Sequence, residues 1–166
     1  MKINIPAAAS LSFLGFVLLF NFSVIRDSLD PGHSHTCDFC SIANYTVRVP
    51  ILYETNYSLV LEDFNPKCNQ HFLVISREHY KNIHAKNVTA ELVEDMKYAC
   101  LNTTGREDTE MIFHNPPFYS VPHLHMHCFV CDGIPNPIDV DYWISKFYDF
   151  AGLGVNEVMH KMKASL

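Results

Sequence analysis

The sequence has few basic residues and no place where they cluster. Twelve Lys and Arg stand against 18 Asp and Glu among 166 residues, giving a formal net charge of −6. Proteins that hold a nucleic-acid backbone carry a basic patch or stripe. We therefore expect no nucleic-acid partner, although a small nucleotide needs no such patch. Internal repeats and low-complexity tracts are also absent, and the length suits one domain with its own core.

Charge is missing altogether from one run near the N-terminus. No charged residue lies between Ile5 and Ile25, and about twenty apolar residues can cross a bilayer or serve as a signal peptide. A buried core helix is the weaker explanation because the run is apolar all round. No small-x-small cleavage site follows, which favours a retained anchor. We predict that residues 1–30 are a signal or membrane-anchor segment with a linker and that 31–166 form the domain.

Asparagine sequons point to the same compartment. Five occur, at Asn21, Asn44, Asn56, Asn87 and Asn102. Such tripeptides are acceptors only in the secretory lumen, and in a cytosolic protein they arise by chance. They favour a secretory or membrane-anchored location over the cytoplasmic alternative. Six cysteines without an evident disulfide framework argue the other way.

Apolar periodicity predicts an α+β domain. Strand-like runs occupy 51–63, with turn residues Thr55 and Asn56 inside it, 71–76 and 110–114. Residues 87–102 follow a helical spacing, and the tail from Asp141 looks partly helical. Strands with one long helix between them are typical of an α+β sheet domain.

The segment SVPHLHMHCFV (120–130) places three histidines at alternate positions, with apolar residues between them. On a strand, His123, His125 and His127 project to one face and the apolar residues to the other. Three imidazoles together suit a metal site, a nucleophilic histidine with helpers, or a hydrogen-bonded ladder. The pattern alone leaves these three open.

Two further motifs carry candidate chemistry. Cys37 and Cys40, in CDFC, form half of a zinc site, a redox pair or a lumenal disulfide. Asp63, in LEDFNP, follows a strand and could accept hydrogen bonds from a sugar diol, but turn capping is the commoner role before Asn-Pro. Apolar walls for a base would come from Phe39, Ile42, Leu61 and Phe64.

Together these residues resemble the histidine-triad family of nucleotide hydrolases and transferases. HLHMHCF (123–129) fits its His-φ-His-φ-His-φ-φ signature, where φ is apolar, and the likeness runs from Cys37 to about Val130. The approach FHNPPFYSVPHLHMH is most similar to the nucleoside phosphoramidase branch. The resemblance implies an antiparallel sheet with a long helix and a C-terminal helical tail, and a homodimer.

The resemblance also implies a role for each matching position. His125 would be the nucleophile that attacks a nucleoside 5′-phosphoramidate, forming a nucleotidyl-histidine that water hydrolyses to adenosine monophosphate. His127 would be the general acid, and Ser120 would contact the phosphate and leaving group. Asp63 would bind the ribose, which reverses the preference for a cap. The positions that match base contacts are Phe39, Ile42, Leu61 and Phe64.

The loop before the triad departs from the family pattern. Many members hold the phosphate with an asparagine and a glycine-rich loop, whereas this loop is short and proline-rich. His114 and Asn115 are its candidate phosphate ligands. Pro116 and Pro117 offer no backbone N–H.

A structural zinc ion is the remaining implication. Zinc-bearing members use a Cys-x2-Cys pair, a histidine at a strand end and the first triad histidine. The matching residues are Cys37, Cys40, His79 and His123. Such a closed set would tie the N-terminal segment to the catalytic strand without activating water.

Other functions stay open at this point. A family transferase would usually carry glutamine in place of His127, and a relative that deadenylates DNA ends would want a basic surface. A hydrolase with another leaving group, or a non-catalytic nucleotide- or metal-binding module, are the remaining alternatives.

Overall fold

A six-stranded antiparallel sheet forms the centre of the protein in a computed structural model that describes residues 37–116, 119, 121–132 and 152–164. The elements are α1 (Asp38–Ala43), β1 (Tyr53–Glu54), β2 (Ser58–Glu62), β3 (Gln70–Ser76), α2 (Ala90–Thr104), β4 (Glu110–His114), β5 (His125–Val130), β6 (Gly152–Gly154) and α3 (Val155–Ala164). The strand order is β1-β2-β3-β5-β4-β6. The predicted α+β class, antiparallel sheet and C-terminal helix are confirmed.

Side-chain alternation on the central strands sorts the two faces of the sheet. Val74 on β3 and Met126 on β5 are register partners and are fully buried in the cluster that includes α2. Leu73 and Ile75 on β3 pair with His127 and His125 on β5. These odd-numbered positions lie on the opposite face, where α1 packs. Helix α2 therefore covers one face of the sheet, and the histidines of β5 lie on the other face.

The capping residues of α2 explain where this long helix begins and ends. Thr89 is the N-cap, and its side chain accepts a hydrogen bond from the Leu92 N–H. Gly105 closes the C-terminus in the left-handed conformation, with φ +65°, and its N–H donates to the Leu101 carbonyl at 2.9 Å. The predicted apolar stripe is buried: Leu92, Val93, Met96, Ala99 and Cys100.

The first histidine of the triad departs from the predicted strand. β5 begins at His125, so His123 lies just before it. The rings of His123 and His125 nevertheless both contact Phe39, at centroid distances of 5.7 and 5.2 Å. The first two triad rings therefore reach the same side of the sheet.

Two disulfides join β5 and the residue that follows it to neighbouring segments, a framework that the sequence did not reveal. Cys100 of α2 pairs with Cys128 of β5, and Cys68 pairs with Cys131 at the end of β5. The Cα–Cα distances of 6.2 and 4.8 Å lie in the range that disulfides require. Both partners are distant in sequence, so spacing alone could not pair them.

Several predictions fall outside the described residues. These are the N-terminal segment 1–30, Ser120, and the tail between 133 and 151. Among the described residues, no helix combines the length and apolarity needed to cross a membrane. The predicted homodimer stays a prediction.

Gly105→Ala should lower the free energy of unfolding by about 1 kcal/mol, because an L-residue is strained in the left-handed region. A Cβ there would meet no atom within 4 Å, so the loss isolates backbone strain. Gly154→Ala is the matched control, since its Cβ also meets open space but its φ is not positive. Chemical denaturation of both variants checks this, and equal stabilities would contradict it.

Candidate active site

An open cleft of about 900 Å³ lies on the sheet face opposite α2. His125 and His127 line it together with His114, and Asp63 lies at its polar end. Its apolar wall includes three predicted base contacts and one residue that was not predicted: Phe39, Ile42, Leu61 and Leu73. The structure thus brings most of the predicted nucleotide-binding residues together.

Two predicted contacts take other positions. Phe64 lines the cleft but is wholly exposed, at 101% of its reference area, because it sits in the turn after β2. Asn115 is not among the described residues that line the cleft. Its Oδ1 lies 3.2 Å from Nε2 of His84, and its predicted contact with phosphate stays a prediction.

The tautomer of His125 is set by the backbone. Its Nδ1 lies 2.7 Å from the His123 carbonyl oxygen, which can only accept, so Nδ1 carries the proton. The lone pair of the neutral ring is therefore on Nε2. Burial, reinforced by the neighbouring His114, lowers the pKa of His125 to about 4. At neutral pH the ring presents an unprotonated nitrogen, the form that a nucleophile requires.

A chain of histidines fixes His127 in the complementary tautomer. The Lys67 N–H donates to Nδ1 of His71 at 3.2 Å, so neutral His71 carries its proton on Nε2. That nitrogen lies 2.8 Å from Nδ1 of His127, which must accept. His127 then carries its proton on Nε2, 2.9 Å from Nε2 of His114. Burial lowers the pKa of His127 well below its ordinary value, which keeps the ring neutral and a donor.

His71 was missed by the sequence analysis. It is 3% exposed and its ring stacks on Phe129 at 4.3 Å. Its position was readable in principle, because His71 shares the odd-numbered face of β3 with Leu73 and Ile75. What could not be read was the register that places it opposite Phe129 and within reach of His127.

Asp63 caps a turn, one of the two roles that the sequence offered for it, and it also lines the cleft. Its Oδ1 accepts a hydrogen bond from the Asn65 N–H at 2.7 Å, which caps the turn. Its Oδ2 lies 3.3 Å from Nε2 of His71 and faces the cleft. Burial is the largest influence on the carboxyl and raises its pKa.

A second cluster, formed by four side chains beside the cleft, has the composition of a metal site. Sγ of Cys37 and Sγ of Cys40 lie 3.3 and 3.4 Å from Nδ1 of His123, and Sγ of Cys40 lies 3.2 Å from Nδ1 of His79. All four ligand atoms lie within 4.8 Å of one another, slightly wider than the roughly 4 Å expected from zinc bond lengths. Both cysteines are free thiols.

The orientation of His123 suits this cluster. Its Nε2 lies 2.8 Å from the Ser76 carbonyl oxygen, so Nε2 carries the proton and Nδ1 turns its lone pair toward the thiols. A backbone acceptor on the far nitrogen is the usual support of a metal-binding histidine. The histidines of the cleft also lie close enough to share an ion, but both ring nitrogens of His127 are engaged in the hydrogen bonds described above.

Comparisons with known proteins agree with this geometry. A family model described as "Scavenger mRNA decapping enzyme C-term binding" matches residues 36–133. Adenosine 5′-monophosphoramidase HINT3 of Danio rerio is 33% identical over 111 residues, covering 61% of this chain and 69% of the relative. The bifunctional adenosine 5′-phosphosulfate phosphorylase/adenylylsulfatase HINT4 of Arabidopsis thaliana is 29% identical over 111 residues, covering 63% and 76%.

Solved structures show the same fold. A HIT family hydrolase from Clostridium thermocellum superimposes with a TM-score of 0.54 at 24% identity, covering 64% of this chain and all of that one. A histidine triad protein from Clostridium difficile gives 0.55 at 24% identity, covering 63% and 98%. Fold and site together define a histidine-triad protein. The chain belongs to the family of the scavenger decapping enzyme C-terminal domain and lies in the nucleoside phosphoramidase branch.

Proposed function

We propose that this histidine-triad nucleotide hydrolase cleaves purine nucleoside 5′-phosphoramidates and releases adenosine monophosphate. One observation carries the proposal: His125 points a lone pair from Nε2 while the adjacent His127 holds a proton on its own Nε2. A nucleophile and an acid on one cleft are what a two-step displacement at phosphorus requires.

The reaction would proceed through a covalent intermediate. His127 takes up a second proton, on Nδ1, when the anionic substrate binds. His125 Nε2 attacks the α-phosphorus, and the phosphorus–nitrogen bond breaks as His127 gives its Nε2 proton to the departing amine and is left neutral. Water then attacks the nucleotidyl-histidine and gives up a proton to His127. Adenosine monophosphate leaves, and both rings return to their starting tautomers.

The substrate class is supported by the cleft and by the relatives. Phe39, Ile42 and Leu61 offer an apolar slot for a base, and Oδ2 of Asp63 is an acceptor for the ribose hydroxyls. The HINT3 relatives are named as adenosine 5′-monophosphoramidases, whereas HINT4 is named for adenosine 5′-phosphosulfate. The shared element of these names is an adenosine 5′-phosphoryl group, so the leaving group is the less constrained part of the proposal.

His125→Ala should reduce turnover of adenosine 5′-phosphoramidate by at least about a thousandfold, because the covalent step is lost. Binding of adenosine monophosphate, measured by calorimetry, should change little. His160→Ala, an exposed histidine of α3, is the control and should keep full activity. Wild-type protein quenched during turnover should carry a nucleotide adduct on His125. Full activity of His125→Ala would contradict the hydrolase, and absence of turnover and adduct in the wild type would favour a binding module.

His71→Phe should slow turnover by about ten- to a hundredfold, since His127 loses the donor that fixes its tautomer and general acids contribute about 10²–10⁴-fold. The ring stacking on Phe129 is retained, so the fold should not change. A p-nitrophenyl ester of adenosine monophosphate needs no proton on its leaving group and should lose much less. An equal loss with both substrates would contradict a role through the acid.

We also propose that Cys37, Cys40, His79 and His123 hold a structural zinc ion. The observed edges of 3.2–3.4 Å between sulfur and nitrogen are close to the roughly 3.5 Å that tetrahedral zinc bonds impose. When bound, the ion would tie α1 to the approach of β5. With four protein ligands it would have no open position for water.

Cys37→Ser should remove zinc from the purified protein and lower the thermal midpoint by at least about 3 °C, which corresponds to roughly 1 kcal/mol at this length. Elemental analysis and thermal unfolding, with and without a chelator, measure both effects. Ser41→Ala, on the same short helix, is the control. Zinc-free protein with an unchanged midpoint would contradict the site.

A further inference from the structure

Four sequon asparagines share a property that the sequence could not show: each lies exposed on the folded domain. Asn44 follows α1, Asn56 lies in the bend between β1 and β2, Asn87 lies in the turn before α2, and Asn102 lies on α2 itself. A glycan is bulky and hydrophilic and can be borne only at the surface. The fold can carry one at every described sequon.

The side-chain amides at these positions are also available. Within the described part of the chain, none of the four makes a side-chain hydrogen bond, whereas Asn69, Asn82 and Asn115 each accept or approach a partner through the amide oxygen. A sugar attached at any of the four would therefore break no internal contact. The Asn21 sequon lies outside the described residues.

The disulfides are an independent indication of the same environment. Four of six cysteines form two cross-links, Cys68–Cys131 and Cys100–Cys128. Such bonds persist in the secretory pathway and outside the cell and are rare in the reducing cytosol. The two cysteines that stay free are those of the proposed zinc site, where metal binding would protect the thiolates.

We infer that this domain matures in the secretory pathway, with N-linked glycans on Asn44, Asn56, Asn87 and Asn102 and with both disulfides formed. The uncharged run from Ile5 to Ile25 supplies a sequence that can direct the chain there. None of the four asparagines is among the described residues that line the cleft, so the glycans would leave the nucleotide site accessible. The inference does not depend on the proposed activity.

The test expresses the full chain in an animal cell and maps its modifications. Free thiols are alkylated before digestion, and glycans are released by an amidase in ¹⁸O-water, which converts each glycosylated asparagine to labelled aspartate. We expect the label at all four positions and two cross-linked peptides joining the paired cysteines. Asn69 and Asn156 are exposed but lie outside sequons, so they serve as internal controls for spontaneous deamidation.

Variants of the sequons and of the uncharged run test each glycosylation site separately. Each single Asn→Gln change at the four positions should remove one step in gel mobility. Leu18→Arg with Leu19→Arg, which interrupts the uncharged run, should abolish all of them. An asparagine that carries no label is not glycosylated, and this result would contradict the inference at that position. No label at any of the four, or Cys68 and Cys100 alkylated in the unreduced protein, would overturn the inference.

Activity measurements keep this result distinct from the proposed function. Deglycosylated protein should hydrolyse adenosine 5′-phosphoramidate within about twofold of the glycosylated rate. If neither form hydrolyses the substrate, the proposed function fails while the glycan map stands. A large gain on deglycosylation would contradict the claim that the sugars leave the cleft open.

Discussion

The pairing of β3 with β5 is the constraint on which the rest of the structure depends. Side chains on paired strands alternate between faces, so the register that buries Val74 and Met126 against α2 also forces His125 and His127 to the other face. A shift of the β5 register by one residue would turn its apolar side chains toward the cleft and its histidines toward the core. Burial of apolar side chains, worth about 1.5–3 kcal/mol for each large one, therefore holds the rings of His125 and His127 in position.

His123 joins the two halves of the site through three different atoms. Its carbonyl oxygen fixes the tautomer of His125, its Nδ1 faces the thiols of Cys37 and Cys40, and its Nε2 donates to the Ser76 carbonyl. A displacement of α1 would therefore reach His125 through His123 as well as through the direct contact with Phe39. The proposed zinc ion would thus act on catalysis by holding geometry, at a position where it takes no part in the chemistry.

The sequence predicted the parts of the molecule that depend on local pattern. The long helix, the strand before Asp63 and the alternation of the triad follow from periodicity, while the proposed nucleophile and the proposed zinc ligands came from a family motif. The histidine chain was beyond such reasoning, because His71 and His127 are 56 residues apart and meet only through the strand register. The disulfides were missed for the same reason. For Phe64, the motif position predicted a base contact. Its exposure depends on the turn after β2, which the motif does not describe.

Burial sets the charge states of the histidines that line the cleft. Burial disfavours the protonated imidazoles, and mutual repulsion among His114, His125 and His127 acts in the same direction. The neutral rings can donate and accept hydrogen bonds. They carry no positive charge that would attract a phosphate. The carboxylate of Asp63 would repel a phosphate at close range, yet its oxygen is well suited to a neutral diol. Asp63 lies beside the apolar wall and accepts the Asn65 N–H, a position that under the proposed function would orient a nucleotide with its sugar at the carboxylate and its phosphorus at the histidines.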